Sequence, residues 1–168
     1  RTIEIPIIQS ILKKSNGKRI LEIGNVLSHY MESTWDIIDK YEKANKVNNC
    51  DIIDYIPNAK YNLIFSVSTF EHIGFDESPK DPKKVLLAIN HVKNNCLEKG
   101  GEFIITVPIG WNKFLDDYIK NNTIFVKIIV SSACAICKAK SLCSVNDFKE
   151  MLVDINVNNA SIYKPGQT

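Results

Sequence analysis

Apolar residues follow two rhythms along this chain, a helical one and a compact strand-like one. Ile5, Ile8, Ile11 and Leu12 recur at helical spacing and are followed by Ser15-Asn16-Gly17, a good helix stop, so residues 1–17 read as a leading helix. Arg19-Ile20-Leu21-Glu22-Ile23-Gly24 is a short apolar run ending at a glycine, as expected of a buried parallel strand entering a turn. Residues 26–34 leave room only for a short helix. Asp36-Ile37-Ile38-Asp39 reads as a second strand, Cys50-Asp51-Ile52-Ile53 as a third, and Tyr61 to Val67 as a fourth, rich in β-branched and aromatic residues.

The clearest helix is predicted over 82–98, where Val85, Leu86, Ile89, Val92 and Cys96 form one face. Asp81 is its cap, Pro82 lies in its first turn and Gly100-Gly101 ends it. Residues 102–107 are a fifth strand, stopped by Pro108. Ile124 to Val130 is a sixth and Ala160 to Tyr163 a seventh, with a helix between them opened by the capping box at Ser144-Val145-Asn146-Asp147. This alternation predicts an α/β fold: a Rossmann-like, doubly wound, mostly parallel seven-stranded sheet with helices on both faces. A single domain over 1–168 is expected, with a leading helix (1–17), a cofactor-binding core (18–118) and C-terminal strands and helix (119–168).

Composition adds mostly exclusions. The 168 residues are 45% apolar, enough for a core, and the 21 basic and 19 acidic side chains nearly cancel. With Arg1 and Arg19 the only arginines, no electrostatic footprint for nucleic acid stands out. No apolar run is long enough to span a bilayer and the first residues do not form a signal peptide, so no membrane insertion is expected. Five cysteines are an odd number for a disulfide framework, and a reducing, cytoplasmic setting fits them better. The lack of an initiator Met points to a trimmed chain or a fragment.

In open parallel sheets, ligands sit outside the carboxyl ends of the strands, so those ends carry the functional search. Asp39 lies 17 positions after Glu22, close to the spacing of an acid that accepts both hydroxyls of a nucleoside ribose; a simple turn cap is the competing reading. The first turn holds one glycine, Gly24, not three, and no Gly-Lys-Ser/Thr follows. Neither a pyrophosphate nor a triphosphate cradle is supported, which disfavours NAD and ATP. S-adenosylmethionine is a nucleoside ligand without phosphate.

The blocks Ile20-Leu21-Glu22-Ile23-Gly24-Asn25, Asp36 to Tyr41, Tyr61 to Ser66, Phe70-Glu71-His72-Ile73 and Leu97 to Pro108 stand in the order of the motifs of class I S-adenosylmethionine-dependent methyltransferases. Residues 18–118 resemble that family. More closely, Leu21 to Tyr30 and Ser66 to Glu77 resemble small prokaryotic members associated with surface-polysaccharide synthesis. The resemblance implies that Glu22, Gly24 and Asn25 form the turn beside the methionine part of the cofactor and that Asp39 is the ribose acid. It implies further that Asp51 and Ile52 flank the adenine, while Ser66 and Val67 line the sulfonium side. Val26 and Ser28 replace later loop glycines of the family, so altered methionine contacts are expected.

Methyl transfer is an in-line displacement in which positioning supplies much of the acceleration, and a base is needed only if the acceptor must lose a proton. His72, at the fourth strand end, is the candidate base, with a structural role for the Glu-His pair as the competing reading. Asp76 and Glu77 are candidates to orient an acceptor or His72, or else solvated loop charges. Trp111 offers a flat wall for a sugar or aromatic acceptor and Asn112 a donor and acceptor, unless both merely pack the loop. Cys134-Ala135-Ile136-Cys137 and Cys143 lack the second ligand pair of a zinc site, so no metal is predicted. The expected activity is O-methylation of a small or saccharide acceptor. A degenerate methyltransferase-like binding or regulatory domain is the main rival, and a zinc-stabilised nucleic-acid module a weaker one.

Overall fold

The computed structural model describes residues 4–108, 110–121 and 127–131. Six strands form one sheet: β1 (Ile20–Ile23), β2 (Asp36–Ile38), β3 (Val47–Asn48), β4 (Tyr61–Val67), β5 (Leu97–Pro108) and β6 (Lys127–Ser131). Their order is β3-β2-β1-β4-β5-β6 and every pairing is parallel. The chain builds outward from β1 to β3 and then crosses back to place β4 on the other side of β1, so the strand order reverses between β1 and β4.

Side-chain alternation divides the core between the two faces of this sheet. Leu63, Phe65 and Val67 of β4, with Ile104 of β5, pack under helix α1 (Glu4–Lys13) through Ile5 and Ile8. Ile64 of β4, with Phe103, Ile105 and Val107 of β5, faces the other way. There they meet helix α2 (Lys84–His91) through Val85, Ala88 and Ile89, and Leu115 of helix α3 (Lys113–Asn121). Helices therefore cover both faces. Tyr61 breaks the alternation: the β4–β5 register shifts between Tyr61 and Leu63, and Tyr61 joins the face of Ile64.

Several expectations need correction. The third strand is not at Cys50 to Ile53; the edge strand is the two-residue β3, and Ile52–Asp54 forms a 3₁₀ turn whose cap, Asp51, accepts from Ile53 N. A carboxylate directly before the apolar pair favours this local cap over a ladder. The segment expected as a short helix at 26–34 is a single 3₁₀ turn, Leu27–His29. The helix expected over 82–98 spans 84–91 and continues as a π turn over Val92–Cys96. Gly100-Gly101 does not end it but lies inside β5, which begins at Leu97. Asp81 does not act as the N-cap residue, which is Lys83; its carboxylate accepts from Lys83 N. Helix α3 was not anticipated, although Phe114, Leu115, Tyr118 and Ile119 have helical spacing. The expected seventh strand, the helix from Ser144 and the three C-terminal cysteines lie outside the described residues.

Candidate functional site at the strand-order reversal

The loops leaving the carboxyl ends of β1, β2, β3 and β4 surround a cleft of about 360 Å³. Its apolar floor includes Ile23, Ile38, Ile52 and Ile73, and its polar wall carries Asn25, Asp39, Lys40, Glu42, Asp51, His72, Asp76 and Glu77. The size and mixed lining are those of a small-ligand site, and a reversal of strand order is where parallel sheets leave such a crevice.

The turn after β1 is shaped from below. Glu22 points to the α1 face, fully buried, and its carboxylate accepts from Val26 N (3.0 Å), Leu27 N (2.6 Å) and Trp35 Nε1 (2.8 Å). Burial raises its pKa against the pull of these donors. Gly24 N donates to Ile38 O at 2.7 Å and Asn25 N to Asp39 Oδ2 at 3.1 Å. Every backbone N–H from Gly24 to Leu27 is thus spent within the protein, and the turn offers no donor nest to a phosphate.

The loop after β2 carries two carboxylates. Asp39 Oδ1 accepts from Tyr41 N (2.8 Å) and Glu42 N (2.7 Å), so Asp39 caps its own loop as well as facing the cleft. Glu42 Oε1 accepts from Asn25 Nδ2 at 2.7 Å and lies 3.1 Å from His29 Nε2.

A four-charge cluster closes another side. Lys84 Nζ lies 2.6 Å from both Asp51 Oδ2 and Glu77 Oε2, and Lys40 Nζ lies 2.9 and 2.7 Å from the same two oxygens. Burial alone would raise the two acids and lower Lys40. The mutual hydrogen bonds outweigh it, so Asp51 and Glu77 titrate below the usual carboxylate range and Lys40 above the usual lysine value. The cluster joins the loops after β2, β3 and β4 to the start of α2.

On the remaining wall, His72 Nδ1 hydrogen-bonds the Asp76 carboxylate, and Nε2 lies 3.6 Å from Glu71 Oε1. The bond to His72 holds the Asp76 carboxyl below its usual range, with help from the Trp111 indole. The Trp111 ring meets the imidazole edge-on, centroids 5.4 Å apart, and remains 53% exposed.

The structure therefore brings Gly24, Asn25, Asp39, Asp51, Ile52, His72, Asp76 and Glu77 to one cleft, with Trp111 beside it against His72. Besides Trp111, four expected site residues do not line it. Glu22 holds the turn from beneath. Ser66 is fully buried and donates from Oγ to Ile23 O at 2.7 Å, tying β4 to β1, and Val67 packs under α1. Ser68 and Thr69 line the cleft instead, because β4 ends at Val67 and the chain turns only after it. Asn112 is 1% exposed; its Nδ2 donates to Glu71 O (3.1 Å) and its Oδ1 accepts from Leu115 N (3.1 Å), which opens α3. Lys40, Glu42 and His29 were missed. The first two stand one and three positions after Asp39, so a strand-end search taken three residues further would have found them.

Among the described residues no group of three or more His, Cys, Asp or Glu side chains is placed to hold a metal ion, and no helix is long and apolar enough to cross a membrane. Comparison with protein-family models, with curated proteins and with solved structures finds no match to this chain.

Proposed function

We propose that this cleft binds S-adenosylmethionine and that the protein transfers its methyl group to an oxygen of a small or saccharide acceptor, on a Rossmann-like sheet completed to seven strands by residues 119–168. The observation that carries the reading is the set of acceptors, without free backbone donors, where the strand order reverses. Carboxylates follow β2, while the turn after β1 has spent its backbone donors internally, which suits a nucleoside and disfavours a phosphate. The residues present fit such a ligand. Ile52 and the neighbouring isoleucines give an apolar bed for a base, Asp39 retains acceptor capacity, and the acidic wall suits a positively charged centre.

Bound there, the cofactor supplies an electrophilic methyl group. The chain's own residues do the rest. Asp76 accepts a hydrogen bond from His72 Nδ1 and fixes the ring, so that Nε2 takes the proton of an acceptor hydroxyl, with the Glu71 carboxylate 3.6 Å away to stabilise the imidazolium that results. Trp111, exposed beside that ring, is the surface on which a sugar or aromatic acceptor stacks. Asp51 and Glu77, paired with Lys40 and Lys84, hold the surrounding loops in register.

Isothermal titration with S-adenosylhomocysteine tests the reading. One-to-one binding that Trp111→Ala leaves intact is expected, and absence of binding overturns it. A second reading, a methyltransferase-like domain that binds without turnover, is favoured by the pairing of Asp51 with two lysines, which neutralises the acid expected beside the adenine. Binding of S-adenosylhomocysteine with no methylated product across a panel of hydroxyl acceptors selects this second reading.

A further inference from the structure

The two carboxylates after β2 are not equivalent. A carboxylate offers about four lone-pair positions. Asp39 has committed three of them to the backbone N–H groups of Asn25, Tyr41 and Glu42. Glu42 is held on one side only: Oε1 takes Asn25 Nδ2 and faces His29 Nε2, and among the described residues Oε2 makes no hydrogen bond. Asn25 spans both acids, its backbone N on one and its side-chain amide on the other, and so fixes how far apart they stand.

Two adjacent hydroxyls entering a cleft must both find acceptors, since a buried hydroxyl without one is costly. Asp39 can serve one of them. Resting on the nucleoside reading above, we infer that Glu42 is a specificity-determining residue that reads the ribose diol, Oε2 accepting from one hydroxyl and the remaining position on Asp39 Oδ2 from the other. Asn25 and His29 are positioning residues that orient the Glu42 carboxylate. The recognised chemistry is a vicinal diol, which a saccharide acceptor also carries. The hold of Asn25, in the turn after β1, on Glu42 assigns it to the nucleoside.

Calorimetric titration of wild type and Glu42→Gln with adenosine, 2′,3′-dideoxyadenosine and a methyl riboside tests this. Wild type is expected to bind adenosine at least about tenfold more tightly than the dideoxy compound, as for hydrogen bonds to a charged acceptor. Glu42→Gln is expected to lower that ratio about threefold or more, leaving the share that Asp39 supplies, with little change in the thermal melt, because the glutamine Oε1 can still accept from the buried Asn25 amide. If adenosine binds but the ratio survives in Glu42→Gln, this inference falls and the nucleoside reading stands. If neither nucleoside binds, both fall. If the methyl riboside binds as tightly as adenosine and Glu42→Gln abolishes it, the carboxylate serves a saccharide diol and the inference is overturned.

Discussion

Gly24 and Thr69 approach so closely that no side chain fits between them. A Cβ on Gly24 would lie 2.1 Å from Thr69 Oγ1 and under 3 Å from its Cγ2 and Cβ, and Gly24 has φ of +86°. The turn after β1 is thereby clamped to the loop after β4 across the reversal of strand order. Both residues line the cleft.

Gly24→Ala is therefore expected to lose about 1–3 kcal/mol from the positive φ, with the clash in addition. The melting temperature should fall by several degrees. Adding Thr69→Gly should return the part due to the clash and not the part due to φ. A melting curve for Gly24→Ala that overlays wild type refutes the contact.

Acid sensitivity follows from the four-charge cluster. Asp51 and Glu77 have folded-state pKa values below their unfolded ones, so their stabilisation is fully present above the ordinary carboxylate range. It is lost as pH falls from that range through the lowered folded values. Glu77→Gln should make the unfolding free energy less dependent on pH below about 4.5, the ordinary glutamate value. Equal slopes for the two proteins in denaturant titrations over that window would contradict the cluster. At neutral pH Glu77→Gln should itself be destabilised, since Lys40 and Lys84 lose a shared partner.

The sheet was legible because burial on both faces leaves a direct mark on sequence. Ile20-Leu21-Glu22-Ile23 and Tyr61 to Val67 are apolar on both sides of the pleat, and both strands form where the pattern places them. What could not be read came from competition between local polar groups and the ladder. Asp51 caps a turn where a strand was expected, and Asn112 caps a helix where a ligand contact was expected. Both act through side-chain to backbone hydrogen bonds, and an Asp or Asn carries no mark of whether it will face a ligand or its own chain. Asp39 does both, so spacing alone could not separate the two readings. Glu22 was expected at the cofactor; strand alternation puts it on the opposite side from Leu21 and Ile23, under the turn.

That position gives Glu22 a measurable task. Glu22→Ala would leave Leu27 N, in the buried turn, and the partly buried Trp35 Nε1 without their acceptor, and Val26 N with only Gly24 O. With about 1–3 kcal/mol for a buried donor left unsatisfied, a loss of at least about 2 kcal/mol is expected. Hydrogen exchange should accelerate at the amides of Val26 and Leu27 before it does in β4. Unchanged protection of those two amides would show that Glu22 does not hold the turn.

On the acceptor side, His72, Asp76 and Trp111 make separable contributions if the proposed methyl transfer is right. His72→Gln removes the proton-accepting nitrogen and should lower turnover about 100-fold or more, the usual loss for a general base, while S-adenosylhomocysteine affinity holds. Asp76→Asn keeps the imidazole and weakens only its orientation, so a smaller fall in kcat is expected with KM for the acceptor little changed. Trp111→Ala should act mainly on the acceptor KM, with only a small fall in kcat from the lost indole contact to Asp76, because in the proposed site its exposed ring is the stacking surface for the acceptor. Steady-state kinetics on the three variants separate these patterns. A His72→Gln enzyme with wild-type kcat would remove the base and leave acceptor placement by Trp111 as the remaining contribution of this wall.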